Sequence, residues 1–386
     1  MSICNSLVQK NYLFTKVVQW GVQEVYSGAN IKDNDELKLY FSVFSNNVPY
    51  TQDELYSALS CIQNITEFAK ARNDKLVVES NIPTNSGSVA LIFKALLNDA
   101  PVIIKVLRPN IKTRIEHDID AVLFFFNNIF IKNIVRYYIK IDFKKFIESN
   151  SESLLNQCDF MSEVNNALLF KDNLKNNKSI VIPHVYKHFT DKYNDVIVME
   201  YLDGPIAKNV SLDLLRDRCE IFQSFFFESL FRYNILHGDF HLGNIIITNN
   251  NTIGIIDFGI VYNLSDSNSD QLFNLLFLSF RPEKMKQLIR AIIRYLCIDK
   301  NYHDMIYNKI INDKEITDMF SSDFSANFII KLVNKLMSQE TLEIKKDLCK
   351  LLLSAMSGLQ TIDYINENKS LEYLVKSYIN RSIPMD

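Results

Sequence analysis

Within residues 234–260, "NILHGDFHLGNIIITNNNTIGIIDFGI", two aspartates and an asparagine interrupt β-branched apolar runs. Asp239 and Asn244 stand five positions apart, and Asp257 follows about a dozen residues later, ahead of Phe258 and Gly259. Oxygen-bearing side chains at that spacing suit phosphoryl transfer. One carboxylate can orient an attacking hydroxyl, while an amide oxygen and a second carboxylate ligate Mg²⁺ bridging the phosphates of a nucleoside triphosphate. Any one of the three alone would merely cap a turn or close a strand; together they have the spacing of kinase-type sites. His237 and His241 flank Asp239, but the segment is a loop with no further His or Cys at ligand spacing. They are read as hydrogen-bonding to the loop, not as metal ligands.

Lys105, in "PVIIKVLRP", is the next group with a chemical reading. A lysine amid β-branched residues is expensive to bury unless it meets an anion. On the third strand of a small sheet it can pair with the α- and β-phosphates and with a helix glutamate. On an edge strand it would reach solvent instead. "PTNSGSVA", residues 83–90, lies between two strands, and Ser86, Gly87 and Ser88 can present backbone N–H groups to phosphate. A single glycine also suits any β-turn, so both uses stay open. In "QCDFMSEVNNALLF", Glu163 lies on a helix with Asp159 four residues before it. It is a candidate partner for Lys105, although helix acids usually face solvent.

Elements must bring these groups together. Residues 6–26 and 51–72 have amphipathic helical periodicity, with Asp33 and Thr51 as N-caps. From about residue 75 the period changes, and "KLVVES", "SVALIFKALL" and "PVIIKVLR" predict a small antiparallel sheet with Asn98-Asp99 as a hairpin turn. Residues 111 to about 174 are helical, "SIVIPHVYK" and "DVIVMEYL" add two strands, and Asp203-Gly204-Pro205 marks a turn or linker. Residues 210–236 then read as one long helix, followed by "NIII" and "IGIIDFG" as strands around "TNNNT". Beyond 265 the pattern is helical, with breaks near 281, 300, 322 and 362.

The composition sets bounds on partners. A chain of 386 residues is long enough for two lobes, and 47% hydrophobic with 23% charged residues is ordinary for a globular protein. A net charge of −3 gives no footprint for nucleic acid, and the basic "RYYIKIDFKK" reads as a solvated helix face. Six scattered cysteines without a C-x-x-C pair argue against a disulfide framework or structural zinc, and for a reducing compartment. "MSICNSLVQKNYLFTK" has neither the apolar core of a signal peptide nor the arginines of a transit peptide. No run approaches the roughly 18 apolar residues of a membrane span. The expectation is an intracellular, soluble or peripheral protein without signal peptide or transmembrane segment.

"HGDFHLGN", "IIDFG", "VIIKVLRP" and "VIVMEYLDG" together resemble the UbiB-type atypical kinases, the aarF-domain family of the protein-kinase-like superfamily. "KVVQW" is similar to that family's Lys-x-Gly-Gln element, "PTNSGSVALIFKA" to its alanine-rich loop, and "QCDFMSEVNNALLF" to its Glu-x-Asp segment with the following helix glutamate. The resemblance runs from about residue 10 to 380. It implies an α+β bilobal kinase-like fold: an N-terminal helical extension (1–75), a small antiparallel-sheet lobe with inserted helices (76–203), and a mainly helical C-terminal lobe with the catalytic loop (204–386). Lys105 would then bind phosphates with Glu163 as its ion-pair partner, and Asp239 would be the catalytic aspartate. Asn244 and Asp257 would hold Mg²⁺, while Ser86, Gly87, Ser88 and Glu200 would line the ATP site. Lys16, Gln19 and Asp159 would belong to a regulatory extension folded over it. Val18 and Gln157 depart from the family pattern, as do Asn85, Ser86 and Gly87 in the loop and Leu91 after it.

The expected activity is that of an atypical Mg-ATP-dependent kinase or ATPase. The resemblance further implies a lipid or quinone-like small molecule as partner, and peripheral contact with a membrane. Oligomeric state is left open. A small-molecule phosphotransferase of the aminoglycoside or choline kinase type shares the His-Gly-Asp-x-His-x-x-Asn pattern and is one alternative. A nucleotide-binding pseudokinase scaffold is the other.

Overall fold

The computed structural model describes residues 48–126, 151–152, 155–248, 251–279, 282–318, 326–337 and 342–366. The helix expected over 6–26 lies outside them, as do Asp33 and the breaks near 281 and 322. The chain divides into two compact units, one within Met1–Leu169 and Pro183–Leu202, the other within Phe170–Ile182 and Asp203–Asp386. One carries a small antiparallel sheet and the other is mainly helical, which is the α+β bilobal kinase-like class read from the sequence.

The first unit opens with α1 (Gln52–Ala71), whose start is a capping box: Thr51 accepts from the Glu54 N–H, and Glu54 accepts from the Thr51 N–H. Ala58, Ile62, Ile65 and Ala69 recur at helical spacing and bury one face. That face packs with alternate residues of the sheet, Leu91, Phe93 and Ala95 with Val102, Ile104 and Val106. The sheet comprises β1 (Leu76–Val78), β3 (Ala90–Leu97), β4 (Ala100–Leu107) and β6 (Val196–Glu200) in that order, with the short β2 (Asn85–Ser86) paired to β3. Asn98 and Asp99, with φ of 52° and 65°, make the two-residue turn between β3 and β4. Both lie in the left-handed region that a type I′ hairpin needs, and asparagine and aspartate tolerate it. The same unit holds α2 (Ile111–Phe126) and the beginning of α3 (Phe160–Asn173).

In the second unit, β5 (Ile180–Val181) pairs in parallel with β9 (Ile253–Ile255), which pairs antiparallel with β8 (Ile245–Ile247). The expected "NIII" and "IGIIDFG" hairpin is therefore present. The long helix expected over 210–236 is not. That stretch forms Leu212–Arg216, Cys219–Phe227 and a wide π-helical turn at Glu228–Arg232, then becomes β7 (Ile235–His237). Asn234, at φ of 53°, ends the helical run, and β7 instead pairs with β10 (Val261–Asn263). Another expectation fails near 362: Lys346–Ile365 is one uninterrupted helix, because Leu352, Ala355, Met356, Leu359, Ile362 and Ile365 keep one buried face through its end. Gly204, in the expected turn, has φ of 148°, and a Cβ there would lie 2.1 Å from the Ile247 carbonyl oxygen. Only glycine fits so close to β8.

Candidate active site

Strand β4 lies between β3 and β6, so Lys105 is not on an edge; it sits opposite Ile92 on one side and Ile197 on the other. Its Nζ is 2.5 Å from Glu163 Oε1 on α3, with both residues buried and 58 positions apart in the chain. Of the sequence-derived groups in the first unit, these two are brought together. A buried ammonium is tolerable only against such an anion, and the pair leaves a cation held in place by a carboxylate. Asp159 precedes the same helix and accepts from the Ser162 N–H, which is an N-cap. Lys16 and Gln19, expected with it in the regulatory extension, lie outside the described residues. Glu200 ends β6, where its carboxylate accepts from the His184 N–H and its own N–H donates to the His184 carbonyl.

The 83–90 loop departs from expectation. The Ser86 N–H bonds Asn85 Oδ1 at 2.7 Å and the Gly87 N–H bonds the Ala90 carbonyl at 2.9 Å, so neither is offered to phosphate. The Ser86 hydroxyl donates to the Val48 carbonyl at 2.6 Å and accepts from Arg108 at 2.8 Å. Both residues belong instead to a buried polar cluster. Arg108 donates to Glu54 at 2.7 Å, and Arg114 reaches the other Glu54 oxygen at 2.5 Å. Sequence reasoning gave Arg108 and Glu54 no role; the available signal was an arginine directly after a strand as apolar as β4.

Burial alone would raise the Glu54 carboxyl, but the bonds from Arg114 and the Thr51 N–H and the charges of Arg108 and Arg114 outweigh it and hold it below its ordinary 4.5. A carboxyl depressed on folding adds stability that is complete above its unfolded value and lost as pH falls through its folded one. The chain should therefore lose stability as pH drops below 4.5 and on through the lower folded value, and Glu54→Gln should lose less over that window. Denaturant melts of both proteins at stepped pH check this. Parallel pH profiles would show that the cluster does not hold the carboxylate charged.

In the second unit, β7 ends at His237 and the chain turns at Gly238. A Cβ on Gly238 would lie 2.4 Å from Ile260 Cγ2 and 2.7 Å from the Tyr262 ring, so the close approach to β10 requires glycine. The buried His237 ring lies among Phe170, Phe225, Phe240 and Phe258, with centroids 5.4 to 6.1 Å away. Burial lowers its basicity below the ordinary 6.5 despite the nearby Asp239 and Asp257. A neutral imidazole has one donor and one acceptor. Nδ1 accepts from the Asp239 N–H at 3.3 Å, so Nε2 carries the proton and donates to the Asp257 carbonyl at 2.5 Å. One ring thus ties the two aspartate-bearing segments together, in keeping with the loop-bonding role read from the sequence.

The Asn244 amide donates to the Asp239 carbonyl at 3.0 Å and to Asp239 Oδ2 at 3.3 Å. His241 Nδ1 accepts from the Gly243 N–H, which directs Nε2 toward Asp239 Oδ2, 3.5 Å away. The Ile256 N–H donates to the Asn244 carbonyl, and Asp257 Oδ1 accepts from the Gly259 N–H. The structure therefore brings Asp239, Asn244 and Asp257 into one hydrogen-bonded framework. Beneath it, the Thr361 hydroxyl donates to the Phe240 carbonyl at 3.0 Å, a support that no sequence pattern announced.

The donor set fits a hard divalent cation. With its nitrogen turned to Asp239, Asn244 can offer Oδ1, and Asp257 offers carboxylate oxygen; no soft ligand is involved. Among the described residues no group of three or more His, Cys, Asp and Glu could hold a metal. Two protein oxygens are what Mg²⁺ uses when phosphates and water complete its octahedron. Among the described residues, no helix is long and apolar enough to cross a membrane.

Comparison with known proteins places the chain in a family. The ABC1 atypical kinase-like domain matches residues 64–290, more than half of the chain. A Tolumonas auensis protein named "Probable protein kinase UbiB" is 31% identical over 176 residues, covering 43% of this chain and 31% of that one. The Dictyostelium discoideum "Probable serine/threonine-protein kinase abkB" is 26% identical over 217 residues, 53% of this chain and 31% of that one. The matches thus span about a third of those relatives' length. Among solved structures, the Rv3197–erythromycin complex from Mycobacterium tuberculosis aligns with a TM-score of 0.46 at 15% identity, over 74% of this chain and 73% of that one. The family match covers both the Lys105–Glu163 pair and the Asp239–Asn244–Asp257 framework, and the chain belongs to the UbiB/ABC1 family of atypical, protein-kinase-like proteins.

Proposed function

We propose that the chain binds Mg-ATP and acts on it as an atypical kinase or ATPase. Lys105, oriented by Glu163, neutralises the α- and β-phosphates; Asn244 and Asp257 ligate Mg²⁺; Asp239 orients the attacking hydroxyl or water. The observation that carries this reading is the buried 2.5 Å ion pair between Lys105 and Glu163. A lysine fixed mid-strand by a distant helix glutamate is the phosphate-binding device of kinases, and it has no purpose in a hairpin that only needs to fold. The family names of the relatives support the same class. A lipid or quinone-like acceptor at a membrane surface is the substrate class that the family resemblance favours. Residues 1–75 serve as an extension, 76–203 as the phosphate-binding lobe and 204–386 as the catalytic lobe in this proposal.

The test is a thermal-shift titration with Mg-ATP. A ligand at about 100 times its Kd stabilises the native state by about 2.7 kcal/mol. The wild-type chain should show that shift. Asp257→Asn should show little, because loss of the main metal ligand leaves phosphate repulsion uncompensated. Equal shifts in both proteins would remove Asp257 from the metal site, and no shift in the wild type would overturn Mg-ATP binding itself.

A further inference from the structure

Arg108 follows β4, three positions after Lys105, and is buried at 4% exposure. Its guanidinium donates to the carbonyls of Val48 (3.1 Å) and Pro49 (3.2 Å), to Ser86 Oγ (2.8 Å), to Glu54 (2.7 Å) and twice to the Gly87 carbonyl, at 3.2 and 2.9 Å. The Arg108 N–H also donates to the Val89 carbonyl at 2.9 Å. The fork of one arginine therefore grips the 85–89 loop and anchors it to the start of α1.

The doubly bonded Gly87 carbonyl has a consequence for its neighbour. In a trans peptide the C=O and the following N–H point in opposite directions, and the described chain has no cis bonds. With Gly87 C=O drawn onto Arg108, the Ser88 N–H must point away from the guanidinium. The Ser86 and Gly87 N–H groups bond within the loop, as shown above, so of the three N–H groups the sequence suggested for phosphate it is that of Ser88 which the 87–88 peptide directs outward. Glu54 is shared by two arginines, so these three charged side chains sum to one positive charge behind the loop. That field favours an anion on the loop's outer side.

The geometry points to Arg108 as a positioning residue: by holding the 87–88 peptide, it sets the Ser88 N–H as a donor to a phosphate oxygen of the nucleotide. This assignment rests on the Mg-ATP reading above and adds to it a residue that never touches the ligand. Arg108→Lys keeps the charge but has no planar fork to hold Gly87, Ser86 and Glu54 at once. Ser88→Pro deletes the N–H itself and leaves the cluster in place.

Calorimetric titration of the full chain with Mg-ATP and, separately, with adenosine tests the assignment. Loss of one charge-assisted bond should weaken Mg-ATP by about tenfold in both variants, while adenosine, lacking phosphate, changes by less than about twofold. Arg114→Gln, which removes one charge from the cluster but none of the loop's hydrogen bonds, should lower the melting temperature and weaken Mg-ATP by less than Arg108→Lys does. A merely structural Arg108 would weaken both ligands alike. Equal losses for ATP and adenosine, or a folded Ser88→Pro chain with wild-type ATP affinity, would overturn the assignment. Should Arg108→Lys not fold, Ser88→Pro decides alone. A wild-type chain that binds no Mg-ATP overturns the proposed function and this assignment together, whereas wild-type binding untouched by Ser88→Pro overturns only the assignment.

Discussion

Asp239→Asn is expected to reduce ATP turnover by about 10²–10⁴-fold, the usual contribution of a group that positions or deprotonates the nucleophile. Nucleotide affinity should stay within a few-fold. The Asp239 backbone is fixed independently of its carboxylate: its N–H donates to His237 and its carbonyl accepts from Asn244. Asparagine has nearly the same volume, and the flanking Phe240 stays stacked on Phe225 at 5.0 Å. What changes is the charge on an atom that receives Asn244 Nδ2 and faces His241. Single-turnover kinetics alongside a Mg-ATP titration separate the two effects. Wild-type turnover in the variant would mean that another group positions the nucleophile, and a parallel loss of affinity would mean that Asp239 holds ground-state nucleotide.

The elements around that loop were legible to very different degrees. Thr51 and the Asn98-Asp99 turn were readable because a capping box and a type I′ hairpin are local: their hydrogen bonds close within a few residues. The β8–β9 hairpin was readable for the same reason. Strand β7 was not, since Ile235 to His237 continue an apolar helical pattern and become a strand only through pairing with β10, more than twenty residues later. Tertiary pairing overrode the local period there. The uninterrupted helix through residue 362 is the converse, a polar-looking Thr361 and Asp363 carried along by a buried face. At the site, Asp239, Asn244 and Asp257 were visible as residue types at a spacing. The ring of His237 that joins their two segments, and Arg108 behind the 85–89 loop, depend on burial and distance. The Ser86 and Gly87 N–H groups illustrate the limit: their residue types suited phosphate, and only the bonds they make within the loop turn them to another use.

Lys105→Met is expected to destabilise the chain by about 3–5 kcal/mol, the usual cost of removing one member of a buried ion pair. Glu163 is 7% exposed and Lys105 8% exposed, so water cannot replace the missing partner without opening the packing. Replacing both residues, Lys105→Met with Glu163→Met, should recover most of the loss, since a buried pair exchanged for apolar groups of similar volume is often neutral or stabilising. The pair would then be present for function at little net gain in stability. Its phosphate-binding role makes a second demand on the same variants: the stable double variant should still fail to bind Mg-ATP, because no cation remains on β4 at position 105. Denaturant melts of the two single variants and the double variant give the coupling energy, and a Mg-ATP titration of the double variant gives the functional half. A Lys105→Met chain as stable as wild type would contradict the burial argument. A double variant that is stable and binds Mg-ATP as tightly as wild type would take Lys105 out of the phosphate site, and with it the observation on which the kinase reading chiefly stands.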